Sequence, residues 1–359
     1  MPAARLPDRS LQPGPPFCYT AVMPDPQELK ATILRLADEM GFACAGIAPA
    51  RPPGAERFRQ FLARGYHAGM DWLARDPDRR CDPRSLLPGA ASVICLAASY
   101  APAGDDSATD HVARYARGRD YHRLLRSRCR RLVGAISAVA PGVRTRICVD
   151  TAPLLERALA ASAGLGWIGR NGCLIHPRLG SYLLLAEVVT DLPLRPDAPA
   201  ASRCGRCRVC IEACPTGAIG PDGLVDASLC LSYVTIEHRG VVAEHLRAAC
   251  GPRVFGCDVC QEVCPHNRRV PAGEADLRGP SELARTPLAA ILAWSPEDWD
   301  RLTRGSAARR AKWEMFLRNA AMAAGNAADA ALRPALKRLA RHPAPEVSAA
   351  ARWALGRKA

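Results

Sequence analysis

The sequence predicts an α+β chain in three parts: an α/β part over residues 26–195, a cysteine-rich part over 196–275 and an α-helical part over 280–359. Three observations carry that division. Short β-rich runs alternate with helical periods in the first part, two cysteine runs of fixed spacing fill the second, and an alanine-rich basic helical pattern fills the third. With 48% hydrophobic residues among 359 and no apolar run of membrane length, the chain is expected to be a water-soluble protein of two or three domains with no membrane partner.

Residues 1–25 hold Pro13, Pro15 and Pro16 but no continuous apolar stretch and no twin arginine. They are expected to be a disordered extension rather than a signal peptide, with Met23 a candidate start. A helix should begin at Asp25, which can cap it, with Pro26 in the first turn and Leu29, Ile33 and Leu36 on the apolar face. Strands are expected around 92–96, 145–149 and 181–189. Asp150, directly after the run Ile147-Cys148-Val149, is either an ordinary helix cap or a group at a strand's carboxyl end, where α/β ligands gather. Gly164, Gly166 and Gly169 spell a dinucleotide fingerprint, but a helix precedes them where that fingerprint needs a strand. They are expected instead to end a helix and form a close-approach loop.

The proline-rich link 193–199 leads to the cysteines. Cys204, Cys207, Cys210 and Cys214-Pro215 follow the run C-x2-C-x2-C-x3-C-P, in which three thiolates wrap one [4Fe-4S] cube and the fourth ligates its neighbour. Cys257, Cys260 and Cys264-Pro265 repeat it with Val254 where the first cysteine should stand. One cluster would take Cys204, Cys207, Cys210 and Cys264; the other would take Cys214, Cys257 and Cys260, with Cys230 or Cys250 as its fourth ligand. Zinc sites close at wider spacings, and disulfides need an oxidising compartment. Sixteen cysteines with no pairing pattern suit a reducing cytoplasm. The part is therefore expected to resemble a bacterial two-cluster ferredoxin.

The net charge of +14 is concentrated at the end: residues 301–359 hold thirteen Lys and Arg against three acidic residues. A polyanion is the expected partner, against the alternative of solvated positive faces. The helices there should break at Gly325-Asn326 and at His342-Pro343, as paired helices of a repeat do.

These parts together resemble the epoxyqueuosine reductases from about residue 26 onward. Beyond the cysteines, the likeness rests on Gly65-Tyr66-His67-Ala68-Gly69-Met70-Asp71-Trp72-Leu73, Arg80-Cys81-Asp82-Pro83, Leu87-Pro88-Gly89-Ala90, Tyr115-Ala116-Arg117-Gly118-Arg119-Asp120-Tyr121-His122, Asp150-Thr151-Ala152-Pro153-Leu154-Leu155-Glu156-Arg157 and Gly164 to Asn171. The resemblance implies a cobalamin-binding first domain, Cys230 as the eighth cluster ligand, and Asp150 as the proton donor, kept protonated by a desolvated pocket. It implies corrinoid contacts at Arg80, Ala113, Asp150, Leu174, Leu185 and Ser232, with Ala113 departing from the family's side chain. It also implies a HEAT-like repeat that binds the anticodon loop of tRNA, an external electron donor and a monomer. A corrinoid reductive dehalogenase and a ferredoxin-type electron carrier are the alternatives.

Overall fold

The computed structural model describes residues 25–51, 54–104 and 110–357, so the extension expected over 1–25 lies, but for Asp25, outside the described residues. The first helix, Pro26–Glu39, starts as its sequence requires: the Asp25 carboxylate accepts from the N–H groups of Gln27 at 2.7 Å and Glu28 at 3.3 Å. Pro26 occupies the first turn, where a missing N–H costs nothing.

Four strands form the main sheet: β1 Cys44–Pro49, β2 Ser92–Ser99, β3 Thr145–Cys148 and, after two short strands, β6 Leu183–Thr190, in the order β1-β2-β6-β3. Every neighbouring pair is antiparallel. The expected α/β part is therefore not a parallel doubly wound sheet. Helices cover both faces of the sheet, which turns these antiparallel strands into unbroken apolar runs. Ile94, Leu96, Ala98, Leu184, Ala186 and Val188 pack on one side with Pro26–Glu39 and the helix Tyr121–Val139. On the other side, Val93, Cys95, Ala97 and Val189 pack with the helix Glu156–Ser162.

A two-stranded hairpin, β4 Trp167–Ile168 and β5 Leu174–Ile175, follows that helix. Helix, glycines, then strand is the reverse of a dinucleotide fingerprint. A Cβ on Gly166 would lie 2.1 Å from the Ile175 carbonyl oxygen, so the glycine serves a close backbone approach. Downstream, Asp197 of the proline-rich link ties three segments: it takes the Lys30 ammonium at 2.6 Å and the Ile47 N–H at 2.9 Å.

The C-terminal helices include Trp313–Ala327, Arg333–Leu339 and Pro345–Gly356. Their core is shared with the cysteine-rich part: Phe316, Leu317 and Met322 join Leu231, Val234, Val254 and Phe255 in one buried cluster. The expected break at Gly325-Asn326 falls later, at Ala328, which is left-handed at φ 52°. A Cβ on Gly325 would sit 2.8 Å from the Ala354 Cα, so this glycine lets two helices touch rather than ending one. Among the described residues no helix is long and apolar enough to cross a membrane.

Candidate functional site

Both cysteine runs fold alike. Each places its middle cysteine on a single helical turn, Val209–Glu212 or Val259–Glu262, and its last cysteine just before a proline; the two turns pack together. Burial pushes the Cys210 thiol up, and Cys264, Cys204 and Cys207 add to the shift as its electrostatic neighbours. Burial also raises Cys257 and Cys230, whose neighbours include each other, and Cys214 lies beside Cys230. Cys260 is raised by the hydrogen bond its thiol donates to Cys173, by burial, and by Cys173, Cys257 and Cys230 as electrostatic neighbours. The thiols thus gather as Cys204, Cys207, Cys210 and Cys264, and as Cys214, Cys230, Cys257 and Cys260, with Cys173 against the second group through its contact with Cys260. Cys250 is fully buried in the helical core and has Cys257 among its electrostatic neighbours.

Burial would raise Cys214, but the N–H groups of Thr216, Ala218 and Gly217 outweigh it and hold the thiol below its usual value. Among the described residues no three Cys, His, Asp or Glu side chains close on a single-ion site. Four-iron cubes are held from around a larger object, and deprotonated thiolates are what they bind. The hairpin reaches the first group, with the Trp167 indole N–H 3.4 Å from Cys204 Sγ, and the second through Asn171, which donates to the Cys260 carbonyl at 3.3 Å.

Asp150 stands two residues beyond the end of β3, with a left-handed backbone at φ 58°. It caps no helix: Glu156–Ser162 begins six residues later behind Leu155, and the Asp150 N–H instead donates to Glu156 Oε1 at 2.6 Å. Its carboxylate lies 3.1 Å from His122 Nε2, and His122 Nδ1 lies 2.7 Å from Asp120 Oδ1. A ring with an acceptor on each nitrogen serves both only when both nitrogens carry protons. Burial opposes that charge, but the hydrogen bonds to Asp120 and Asp150 win and raise the His122 pKa to about 9. The His122 contact correspondingly holds Asp150 below its ordinary value, against burial. Against the expectation of an Asp150 kept protonated by desolvation, this arrangement favours the proton on His122 at neutral pH.

Arg310 adds positive potential at Asp150 and is itself fixed by Glu237, at 2.7 and 3.0 Å. Trp72, 43% exposed, lies between Arg310 and Arg80, whose guanidinium carbons are 6.0 and 5.2 Å from its ring centre. Of the expected corrinoid contacts, Arg80 borders this aromatic and feels the charge of Glu156. Leu174 and Leu185 lie together at the sheet face that carries Glu156–Ser162. Ala113 and Ser232 stand at the second cysteine group: the Ala113 N–H donates to the Phe255 carbonyl at 2.7 Å, and the Ser232 hydroxyl to the Cys257 carbonyl at 3.4 Å. The buried atoms Arg80 Nε and His67 Nδ1 have no hydrogen-bond partner.

Sequence reading assigned no role to His122, Glu156 or Glu187. A signal was present for the last, a glutamate inside the otherwise apolar strand β6, Leu183–Thr190.

Two family profiles match: one described as epoxyqueuosine reductase QueG, DUF1730, over residues 80–151, and one described as a 4Fe-4S double cluster binding domain, over residues 203–267. The chain is 42% identical to an epoxyqueuosine reductase of Xanthomonas campestris pv. campestris over 85% of its own length and 88% of that protein. It is 40% identical to one of Escherichia coli, covering 84% of this chain and 82% of the other. A solved epoxyqueuosine reductase bound to an epoxyqueuosine-modified tRNA-Tyr stem loop superposes with TM-score 0.85 at 30% identity, over 92% of this chain and 90% of that one. Another, from Bacillus subtilis, has its catalytic aspartate loop swung out of the active site and superposes at TM-score 0.84 and 30% identity over the same shares.

Proposed function

The chain belongs to the epoxyqueuosine reductase family, and on that premise we propose that it reduces epoxyqueuosine to queuosine in the tRNA anticodon loop, using cobalamin fed by two [4Fe-4S] clusters. Converting an epoxide to an alkene takes two electrons and two protons and releases water. The observation that carries the assignment is the 3.1 Å contact between His122 Nε2 and the Asp150 carboxylate, beside a left-handed Asp150 backbone. When bound, the clusters and corrinoid supply the electrons, and the remaining needs fall to this chain's own residues. The proton held at His122 would reach the leaving oxygen through Asp150, which takes it from the imidazole and passes it on, and the second proton of the water released comes from solvent. Arg310 and Trp72 border the approach, where a splayed base has both an aromatic face and a cation to meet. Orphaned polar atoms at Arg80 and His67 are what the amide fringe of a corrinoid would satisfy, so the residues present fit that group. The decisive experiment is anaerobic incubation of the holoenzyme with epoxyqueuosine-containing RNA, followed by nucleoside mass spectrometry. Appearance of queuosine is expected, and unchanged epoxyqueuosine would overturn the reading.

The thiol groupings support two ligand sets: Cys204, Cys207, Cys210 and Cys264 for one cluster, and Cys214, Cys230, Cys257 and Cys260 for the other. On this assignment Cys230→Ser should lower bound iron from about eight towards about four per chain, while Cys250→Ser leaves it unchanged. Equal iron in both variants, measured together with the cluster absorbance, would remove Cys230 from the set.

The basic C-terminal helices are assigned to tRNA, as a HEAT-like repeat that binds a polyanion. Several of their cations are already engaged: Arg301 with Glu282, Arg304 and Arg309 with Asp300, and Arg310 with Glu237. Lys337, Arg341 and Arg352 are exposed and form no ion pair with a described residue. Changing these three to glutamine should flatten the plot of log affinity for the tRNA against log salt by roughly two units. An unchanged slope would place the phosphates elsewhere. Deleting the tail is the wrong test, because its helices complete the core of the cysteine-rich part.

A further inference from the structure

We propose that Glu156 and Glu187 form a positioning pair, two buried carboxyl groups with a proton between them, that holds the Asp150 loop in place for the reaction. The inference rests on the reading of Asp150 as the group that delivers the proton. Glu187 lies in the middle of β6 with no exposure, on the face covered by the helix that begins at Glu156. Both of its carboxyl oxygens are buried without a hydrogen-bond donor. The side chain within hydrogen-bonding reach of Glu187 is the Glu156 carboxyl, and two carboxylates are both acceptors, so that contact closes only when one is protonated. No described cation forms an ion pair with either glutamate.

The surroundings decide which one keeps the proton. Facing Glu187 are Cys95 of β2, Cys148 of β3 and Glu156, with Cys129 of the helix Tyr121–Val139 across the sheet. None of them offers a positive charge, and burial followed by Glu156 pushes Glu187 well above the carboxylate range. Glu156 is raised by burial and by Asp150, but the Asp150 N–H, Glu187 and Arg157 pull it back; Arg80 and Tyr121 also face it. Glu187 is therefore the donor, and Glu156, raised to about 7, is the anion on the alkaline side of neutrality.

That anion has one further task. Its Oε1 accepts the N–H of Asp150, at the residue whose left-handed backbone an ordinary side chain resists. A charged acceptor holds that N–H more strongly than a neutral carboxyl does. Protonating Glu156 as pH falls should therefore loosen the loop, and removing the Glu187 donor should do so at every pH.

Hydrogen exchange of the cluster-loaded full chain, read on peptides covering residues 149–155 and corrected for intrinsic rates, tests this. Protection at Asp150 should fall about tenfold or more between slightly alkaline and mildly acidic pH. Glu156→Gln, a fixed neutral acceptor, should show the acidic value throughout. Glu187→Gln keeps a donor and should hold the alkaline protection, whereas Glu187→Met should lose it; this second pair keeps the question open to refutation should Glu156→Gln fail to fold. Protection that is flat with pH in the unaltered chain, or equal in Glu187→Gln and Glu187→Met, would overturn the proposal. The readout answers whether the pair holds the loop even if Asp150 delivers no proton, so the two readings fail separately.

Discussion

Asp150→Asn is expected to lower kcat by roughly 10²–10⁴-fold, the usual worth of a positioned general acid, while iron content, corrinoid binding and KM for the RNA change little. The amide keeps the shape of the carboxylate but cannot pass on the proton held at His122. The pH profile gives the second half of the prediction. Because hydrogen bonds to Asp120 and Asp150 overcome burial and raise His122 to about 9, turnover should decline as pH climbs through about 9 and the imidazole empties. In Asp150→Asn one of the two carboxylates is gone, so the residual activity should decline at a lower pH, towards the ordinary histidine value of 6.5. The same linkage governs stability: a histidine raised on folding contributes fully below its unfolded pKa and loses that contribution as pH rises through its folded one. Full turnover in Asp150→Asn, or an alkaline limb that stays in place, would leave the proton to another group.

What could be read from the sequence follows from the range of each signal. The double-cluster domain was legible because cluster ligands are local in sequence; the choice of Cys230 over Cys250 as an eighth ligand rests on the family likeness, since nothing in spacing separates the two. Asp25 and Pro26 were legible as a helix start because caps are local as well. Strand direction was not. Apolar runs such as 92–99 report burial on both faces, and an antiparallel sheet sandwiched by helices is buried in the same way as a parallel one. The role of His122 was hidden for a different reason, because its two carboxylates come from Asp120 beside it and from Asp150 across the fold. Gly325 shows the same limit in small form: a break signal in sequence becomes a contact surface once Ala354 is brought against it.

The tail's charge makes the second large prediction, since one of its thirteen cations never meets solvent. Arg318, counted among the residues that could face a polyanion, is fully buried. Its guanidinium donates to the carbonyls of Val234 at 2.8 Å, His238 at 2.9 Å and Gly240 at 2.9 Å, and to Asn319 Oδ1 at 3.0 Å. Asn319 in turn donates to the carbonyls of Thr235 and Val254. Burial lowers the Arg318 pKa to about 10, which still leaves it charged at neutral pH. The Val234 carbonyl lies in the helix Leu231–Ile236, which begins right after Cys230, and those of His238 and Gly240 lie just beyond it, so the arginine joins the C-terminal helices to the segment that carries Cys230. Arg318→Met fills similar space but strands three buried carbonyls, each costing about 1–3 kcal/mol, so the loss should reach roughly 3–5 kcal/mol. An apparent Tm lower by on the order of 10 °C is expected, with iron lost from the group containing Cys230 before the other. Arg318→Lys can satisfy only part of the fork and should fall between the two. A Tm within about 2 °C of the unaltered protein would mean that water replaces the guanidinium at those carbonyls, and that the join between the two parts is apolar alone.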